Sequence, residues 1–226
     1  MQVVASWSGG KDSCLACYKA VVQGYEVSYL VNFISREFRR VSFHGTRARL
    51  IAKQAEAIGI PLAQYTVPPD MSLYEQRFKE AVSALKRSGV EGMVFGDIYL
   101  QEHRDWVERV CSELGITPIL PLWDIASEHV LGEFIEAGFE AVVVSVNAGI
   151  FGEEWLGRRI DHSFLADLKR LSRGKEIDVC GEHGEYHTLV VDGPLFQERM
   201  QVTYGVKVQR DGYWLLDILR SSLKPK

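Results

Sequence analysis

Trp7-Ser8-Gly9-Gly10-Lys11-Asp12-Ser13 stands where an apolar run, Val3 to Trp7, hands over to an amphipathic one, Asp12 to Gln23. A strand followed by a helix places this loop at a helix N-terminus. Unpaired N–H groups and roughly half a positive charge gather there, so an anion is favoured. Gly9 and Gly10 permit dihedrals and close approaches that side chains forbid, Ser8 and Ser13 add hydroxyls, and Lys11 adds a full charge. Together they describe a phosphate cradle. Asp12 is the odd member, since a carboxylate beside phosphates repels them unless it caps the helix or helps to hold Mg2+; both roles are expected of it. The loop is not a Walker motif, which would need glycine at Ala5 and Ser or Thr at Asp12, and it is not G-x-G-x-x-G. A glycine-rich turn that merely joins strand to helix is the plainer alternative, disfavoured because the whole motif sits at that junction.

Working outward, short apolar runs keep alternating with amphipathic stretches. Strands are expected at Glu26 to Phe33, Leu62 to Val67, Gly92 to Phe95 and Ile119-Leu120, with helices at Thr46 to Ile58, Ser72 to Ser88 and Glu102 to Leu114. This βα rhythm implies right-handed crossovers and an α/β fold, a doubly wound, mainly parallel Rossmann-like sheet. After Trp123 the rhythm changes to a helix at Ser127 to Glu136, a strand at Glu140 to Val146, a Gly-rich stretch and a helix at His162 to Leu171. Val179 to Asp192 and Met200 to Leu219 alternate like antiparallel strands, with Asp211-Gly212 as a hairpin turn, and Lys224 to Lys226 is expected to fray. The division expected is residues 1–123 as the main domain and 124–226 as a smaller C-terminal α+β domain.

The totals narrow the class. A chain of 226 residues with 46% hydrophobic and 25% charged residues can bury a full core without disulfides or structural metal. A net charge of -4 argues against holding nucleic acid by bulk electrostatics. The four cysteines, with no secretory leader, point to reduced thiols and a cytoplasmic setting, and no apolar run reaches the ~18–20 residues of a membrane helix.

Ser8 to Ser13 resembles the loop of the N-type ATP pyrophosphatases, the PP-loop enzymes. Further segments are similar to the diphthine-ammonia ligase family: Gly96-Asp97-Ile98 with Arg104, Leu114 to Ile116 with Pro121 to Trp123, Trp155 to Arg158, and Gly181-Glu182-His183-Gly184-Glu185-Tyr186-His187-Thr188. The last is the most diagnostic. The resemblance implies ATP and Mg2+ as cofactors, with nucleotide contacts from Ser8, Gly9, Gly10, Lys11, Asp12, Ser13, His44, Gly96 and Arg104, and metal at Asp12. It implies attack of an acceptor carboxylate on the α-phosphorus, release of pyrophosphate, and displacement of AMP by ammonia to leave an amide. Lys11 and Asp12 serve the first half in this reading; Glu182, Glu185 and His187 are candidates for the acceptor side. The partners implied are ammonia, taken from solution because no N-terminal cysteine nucleophile of a glutaminase is present, and a protein acceptor, elongation factor 2, or a small carboxylate. A homodimer is left open. Two other functions stay in view: a PP-loop enzyme modifying tRNA, and a sensor that holds ATP or AMP without turnover.

Sharper readings of single motifs compete with plainer ones. Cys180-x2-His183-x3-His187 has zinc-ligand types but no obvious fourth ligand. Cys14 and Cys17 sit at i and i+3 on the first helix, where small buried packing residues are commoner than sulfur carriers. Trp123, Phe151, Trp155 and Tyr186 could cage a quaternary ammonium, although core packing is the ordinary use of such rings. Arg104 and Arg158 could meet phosphate or carboxylate, or Arg104 could pair with acidic neighbours on its own helix.

Overall fold

The computed structural model describes residues 1–226 except 36–39, 42–44, 69–72 and 175. Its first part alternates β1 (Gln2–Ser6), α1 (Lys11–Val22), β2 (Glu26–Ser35), α2 (Ala48–Ile58), β3 (Leu62–Val67), α3 (Tyr74–Lys86), β4 (Gly92–Val94), α4 (Gln101–Leu114) and β5 (Thr117–Ile119). These strands pair in parallel in the order β3-β2-β1-β4-β5.

Alternation along β1 explains the layering. Val3 and Ala5 join the face that α1 and α2 cover with Leu15, Ala16, Leu50 and Ile51. Val4 joins the opposite face, where α3 and α4 supply Phe78, Val82, Val107 and Val110. Burying side chains of this size contributes ~1.5–3 kcal/mol each. Helices on both faces make the doubly wound sheet that the rhythm predicted. Strand order reverses between β1 and β4, so their carboxyl ends diverge into a crevice above the head of α1.

The second part holds α5 (Ser127–Glu136), β6 (Glu140–Asn147), α6 (His162–Ser172), β7 (Tyr186–Asp192), β8 (Glu198–Arg210) and β9 (Tyr213–Pro225). Its strands form an antiparallel sheet in the order β7-β6-β9-β8. Val143, Val146, Leu189 and Val190 belong to the same buried cluster as Val3, Leu15 and Ile51. α1 therefore lies in the seam between the sheets, with β7 against it.

Several boundaries depart from expectation. α2 starts at Ala48 rather than Thr46, with Arg47 as its extended N-cap. α3 starts at Tyr74, and the expected start at Ser72 lies outside the described residues. The run from Val179 is strand only from Tyr186. Gly181 and Gly184 take φ of 78° and 82°, and the Asp178 carboxylate accepts the Cys180 and Glu182 N–H groups, which folds residues 178–185 into a loop. The chain end is tied rather than frayed, because Lys226 donates to the Gly193 carbonyl and pairs with Asp192, both at 2.8 Å. Asp211-Gly212 is the hairpin turn, with φ of 51° and 80°. Among the described residues no helix is long and apolar enough to cross a membrane.

Candidate active site

The head of α1 opens into a cavity of about 640 Å³, inside the ~300–1,000 Å³ of small-molecule sites. Ser8, Gly10, Lys11, Asp12 and Ser13 form one wall, Gly96 and Asp97 a second, and Glu182, His187 and Thr188 a third. Gly96 is needed for the second wall to close. A Cβ there would meet the Asp12 carbonyl carbon at 2.9 Å and the Ser13 nitrogen at 3.0 Å, so only glycine lets the β4–α4 turn touch the α1 backbone.

Within the loop, the Ser8 and Ser13 hydroxyls lie 3.1 Å apart, Ser13 Oγ donates to the Gly10 carbonyl at 3.0 Å, and the Gly10 N–H meets Ser8 Oγ at 3.3 Å. These are modest local bonds whose donors face a cavity, which suits exchange for phosphate oxygens. Gly9 stands behind the wall. Lys11 is 4% exposed, and its ammonium donates to Asp12 Oδ2 at 2.8 Å and to the Cys180 carbonyl, 5.1 Å from the Tyr186 ring centroid. Burial opposes its charge, but Asp12, with Tyr186 and Cys180, holds the amine well above the usual lysine range.

Asp12 does not cap α1. Gly10 is the N-cap, without a side-chain bond, because Asp12 turns Oδ2 to Lys11 and leaves buried Oδ1 with no hydrogen-bond partner among the described residues. Burial, partly offset by Lys11, raises this carboxyl above the usual aspartate range. An orphaned carboxylate oxygen beside a phosphate cradle suits a hard cation whose other ligands are phosphate oxygens and water, so Asp12 fits Mg2+. Among the described residues no three His, Cys, Asp or Glu side chains converge to hold a metal by themselves. Cys180 Sγ donates to the Ser127 carbonyl at 3.1 Å.

The acceptor-side candidates separate. Glu182 lines the cavity half-buried, and burial first, then Asp12, pushes its carboxyl up to about 7. His187 also lines it; burial and Lys11 bring its imidazole down to about 4, so the ring is neutral near pH 7. Glu185 is 2% exposed, and its oxygens accept the Asp178 N–H at 2.8 Å and the His183 N–H at 3.0 Å. It braces the loop behind Glu182. Arg104 pairs with Glu108 at 2.6 Å and lies 4.9 Å from the Trp123 ring centroid, apart from the cavity wall. His44 lies outside the described residues.

The rings weighed as a cage and the paired thiols are packed within the protein. Arg158 lies 4.3 Å from the Trp155 ring centroid and Phe164 packs on both Trp155 and Tyr186, so these rings enclose the protein's own side chains. Cys14 and Cys17 are buried, and burial pushes the Cys17 thiol up to about 12. Sequence reasoning named Thr188 only as the end of the Gly181–Thr188 element, without a role, and did not name Gln54. Thr188 Oγ1 accepts the Lys11 N–H at 3.0 Å, and Gln54 is fully buried behind the loop. The available signal for Gln54 was a polar residue on the apolar stripe of α2, beside Leu50, Ile51 and Ala55.

A doubly wound sheet carrying a Ser-Gly-Gly-Lys-Asp-Ser loop at its switch point defines a PP-loop nucleotide-binding protein. Family models described as the diphthamide synthase N-terminal and C-terminal domains match residues 1–118 and 126–223. The chain belongs to the diphthamide synthase family. Relatives named diphthine–ammonia ligase include that of Danio rerio, 29% identical over 219 residues, covering 88% of this chain and 86% of the relative. That of Homo sapiens is 30% identical over 222 residues, covering 89% and 83%. The relative from Schizosaccharomyces pombe is 29% identical over 90% of this chain, which spans 36% of that longer protein. A solved structure titled as a predicted subunit of tRNA methyltransferase from Methanocaldococcus jannaschii is similar over 86% of this chain and 98% of its own, at a TM-score of 0.46 and 14% identity.

Proposed function

We propose that this chain is an ATP-dependent, AMP-forming ligase that amidates a carboxylate with ammonia, the acceptor being diphthine on elongation factor 2 or a closely related group. One observation carries the reading: the phosphate loop and the Gly181–Thr188 element face each other across a single cavity. Family membership supports it, as do the names of the relatives. Residues 1–123 form the nucleotide half in this reading and residues 124–226 the acceptor half.

The acceptor carboxylate attacks the α-phosphorus, a new C–O–P linkage forms, and the bond to the β-phosphate bridge breaks to release pyrophosphate. Ammonia then attacks the activated carbonyl, and AMP leaves with the C–O bonding pair. The loop N–H groups and Lys11 stabilise charge on the departing pyrophosphate. Lys11 must turn from the Cys180 carbonyl to do so, which links phosphate arrival to the loop that carries Glu182. Mg2+ held by Asp12, when bound, supplies further neutralisation of the phosphates. Glu182, half ionised near neutrality, takes the proton that ammonia sheds as it attacks.

The test supplies the full chain with ATP, Mg2+, 15N-labelled ammonium and elongation factor 2 bearing diphthine. An acceptor carrying one 15N amide, formed with AMP, is the expected result. ATP bound without product would favour the sensor, and label incorporated into tRNA but not protein would favour the tRNA-modifying alternative.

A further inference from the structure

Gln54 lies in the middle of α2 with no exposed surface, where the pattern calls for an apolar side chain. A buried amide is costly unless every hydrogen-bonding group is used. Here all are used, and each bond ends on or beside the phosphate loop. Its Nε2 donates to the Gly9 carbonyl at 2.9 Å and to the Val190 carbonyl at 2.7 Å, while Oε1 accepts the Trp7 indole N–H at 3.1 Å. The Val190 N–H of β7 donates to the same Gly9 carbonyl at 3.0 Å. That oxygen is therefore drawn from two sides, by α2 and by the smaller sheet.

A peptide is planar and trans, so pinning its C=O in one direction aims the N–H of the next residue in the other. The next residue is Gly10, which lines the cavity, and among the described residues its N–H meets only a long 3.3 Å contact to Ser8 Oγ. Gly9 supplies the necessary bend with φ of 81°, and a Cβ there would sit 2.4 Å from Gln54 Oε1, so glycine at 9 and the amide at 54 fit as a pair.

We propose that Gln54 is a positioning residue for the phosphate loop: with Val190 it holds the Gly9 carbonyl back, so that the Gly10 N–H is preset to receive a phosphate oxygen. The inference rests on the nucleotide reading of the cavity. It adds that the smaller sheet, through β7, sets the geometry of the loop carried by the larger one.

The test compares binding of ATP and of adenosine, which lacks phosphates, to the full chain and to Gln54→Met and Gln54→Leu, by calorimetry at matched folded fraction. Methionine keeps the length of the side chain without a donor, and leucine changes its shape as well; each removes all three bonds. ATP affinity is expected to fall about tenfold or more in both variants with adenosine affinity unchanged, because the Gly10 N–H is then no longer held ready and that donor serves only the phosphates. Equal losses for both ligands would mean general loosening and would overturn the proposal, as would unchanged ATP affinity. Should the leucine variant not fold, Gln54→Met decides alone by the same criterion. A wild-type chain that bound adenosine but gained nothing from the triphosphate would refute the phosphate reading itself, and the proposal with it.

Discussion

Glu182 and Glu185 look alike in sequence, three positions apart in one Gly-rich turn, and burial assigns them different work. Each Glu185 oxygen accepts a backbone N–H, whereas Glu182 faces the cavity with its carboxyl raised from 4.5 to about 7. In that state the folded chain binds the proton more tightly than the unfolded chain. Stability drawn from this group therefore falls as pH rises from about 4.5 to about 7, and the penalty is complete above that window. Glu182→Gln is accordingly expected to raise the urea midpoint at pH 8 and to change it little at pH 4. At constant free ammonia the wild type is expected to gain amidation rate through about pH 7, and the same variant to lose that rise. A glutamine variant with an unaltered pH profile would remove Glu182 from the proton transfer. Ser8 to Ser13 were legible in sequence because the motif is contiguous and its place at a helix start follows from the flanking patterns. The role of Gln54 and the pairing of Thr188, itself legible as the end of a motif, were not, since their partners Gly9 and Lys11 lie 45 and 177 positions away.

At the scale of elements, the crevice depends on the β4–α4 turn lying against the first turn of α1. Gly96→Ala places a methyl within 2.9 Å of backbone rather than of a yielding side chain, so one element must move. A displacement of this kind at a reacting site can cost ~100-fold. The variant is expected to lose about that much amidation rate while its circular dichroism stays wild-type, and full activity would show that the turn does not register the site. The strands and helices of the larger sheet were readable because each apolar run is bounded by glycine, proline or a change of period. The segment from Val179 misled for an equally definite reason: its apolar and polar residues alternate, but Gly181, Gly184 and the Asp178 carboxylate divert the backbone before a ladder can form. The hairpin at Asp211-Gly212 was readable because two successive positive φ values suit that dipeptide.

At the scale of the molecule, the two sheets share one buried cluster, and a charged tie reinforces the seam. Asp217 of β9 accepts Arg47 at 2.7 Å through both oxygens and Arg40 at 3.0 Å, and Arg47, with Arg40, holds its carboxyl down at about 2. A depressed carboxylate contributes stability above its unfolded value and loses it as pH falls through about 2. Asp217→Asn is expected to cost ~1.5–3 kcal/mol at pH 7, with the difference shrinking below pH 4; an equal cost at both pH values would show that charge is not what the tie supplies. The shared cluster could not be seen in the sequence, because the change of rhythm after Trp123 marks a change of architecture and carries no information on whether two sheets bury one core. What that core builds, in the function proposed, is a cradle for a triphosphate to be cut between its first two phosphorus atoms. The most direct measurement is 31P NMR of the phosphorus products formed with ATP, ammonia and the acceptor present: AMP and pyrophosphate in equal amounts are predicted, and ADP with orthophosphate would contradict that assignment of the loop.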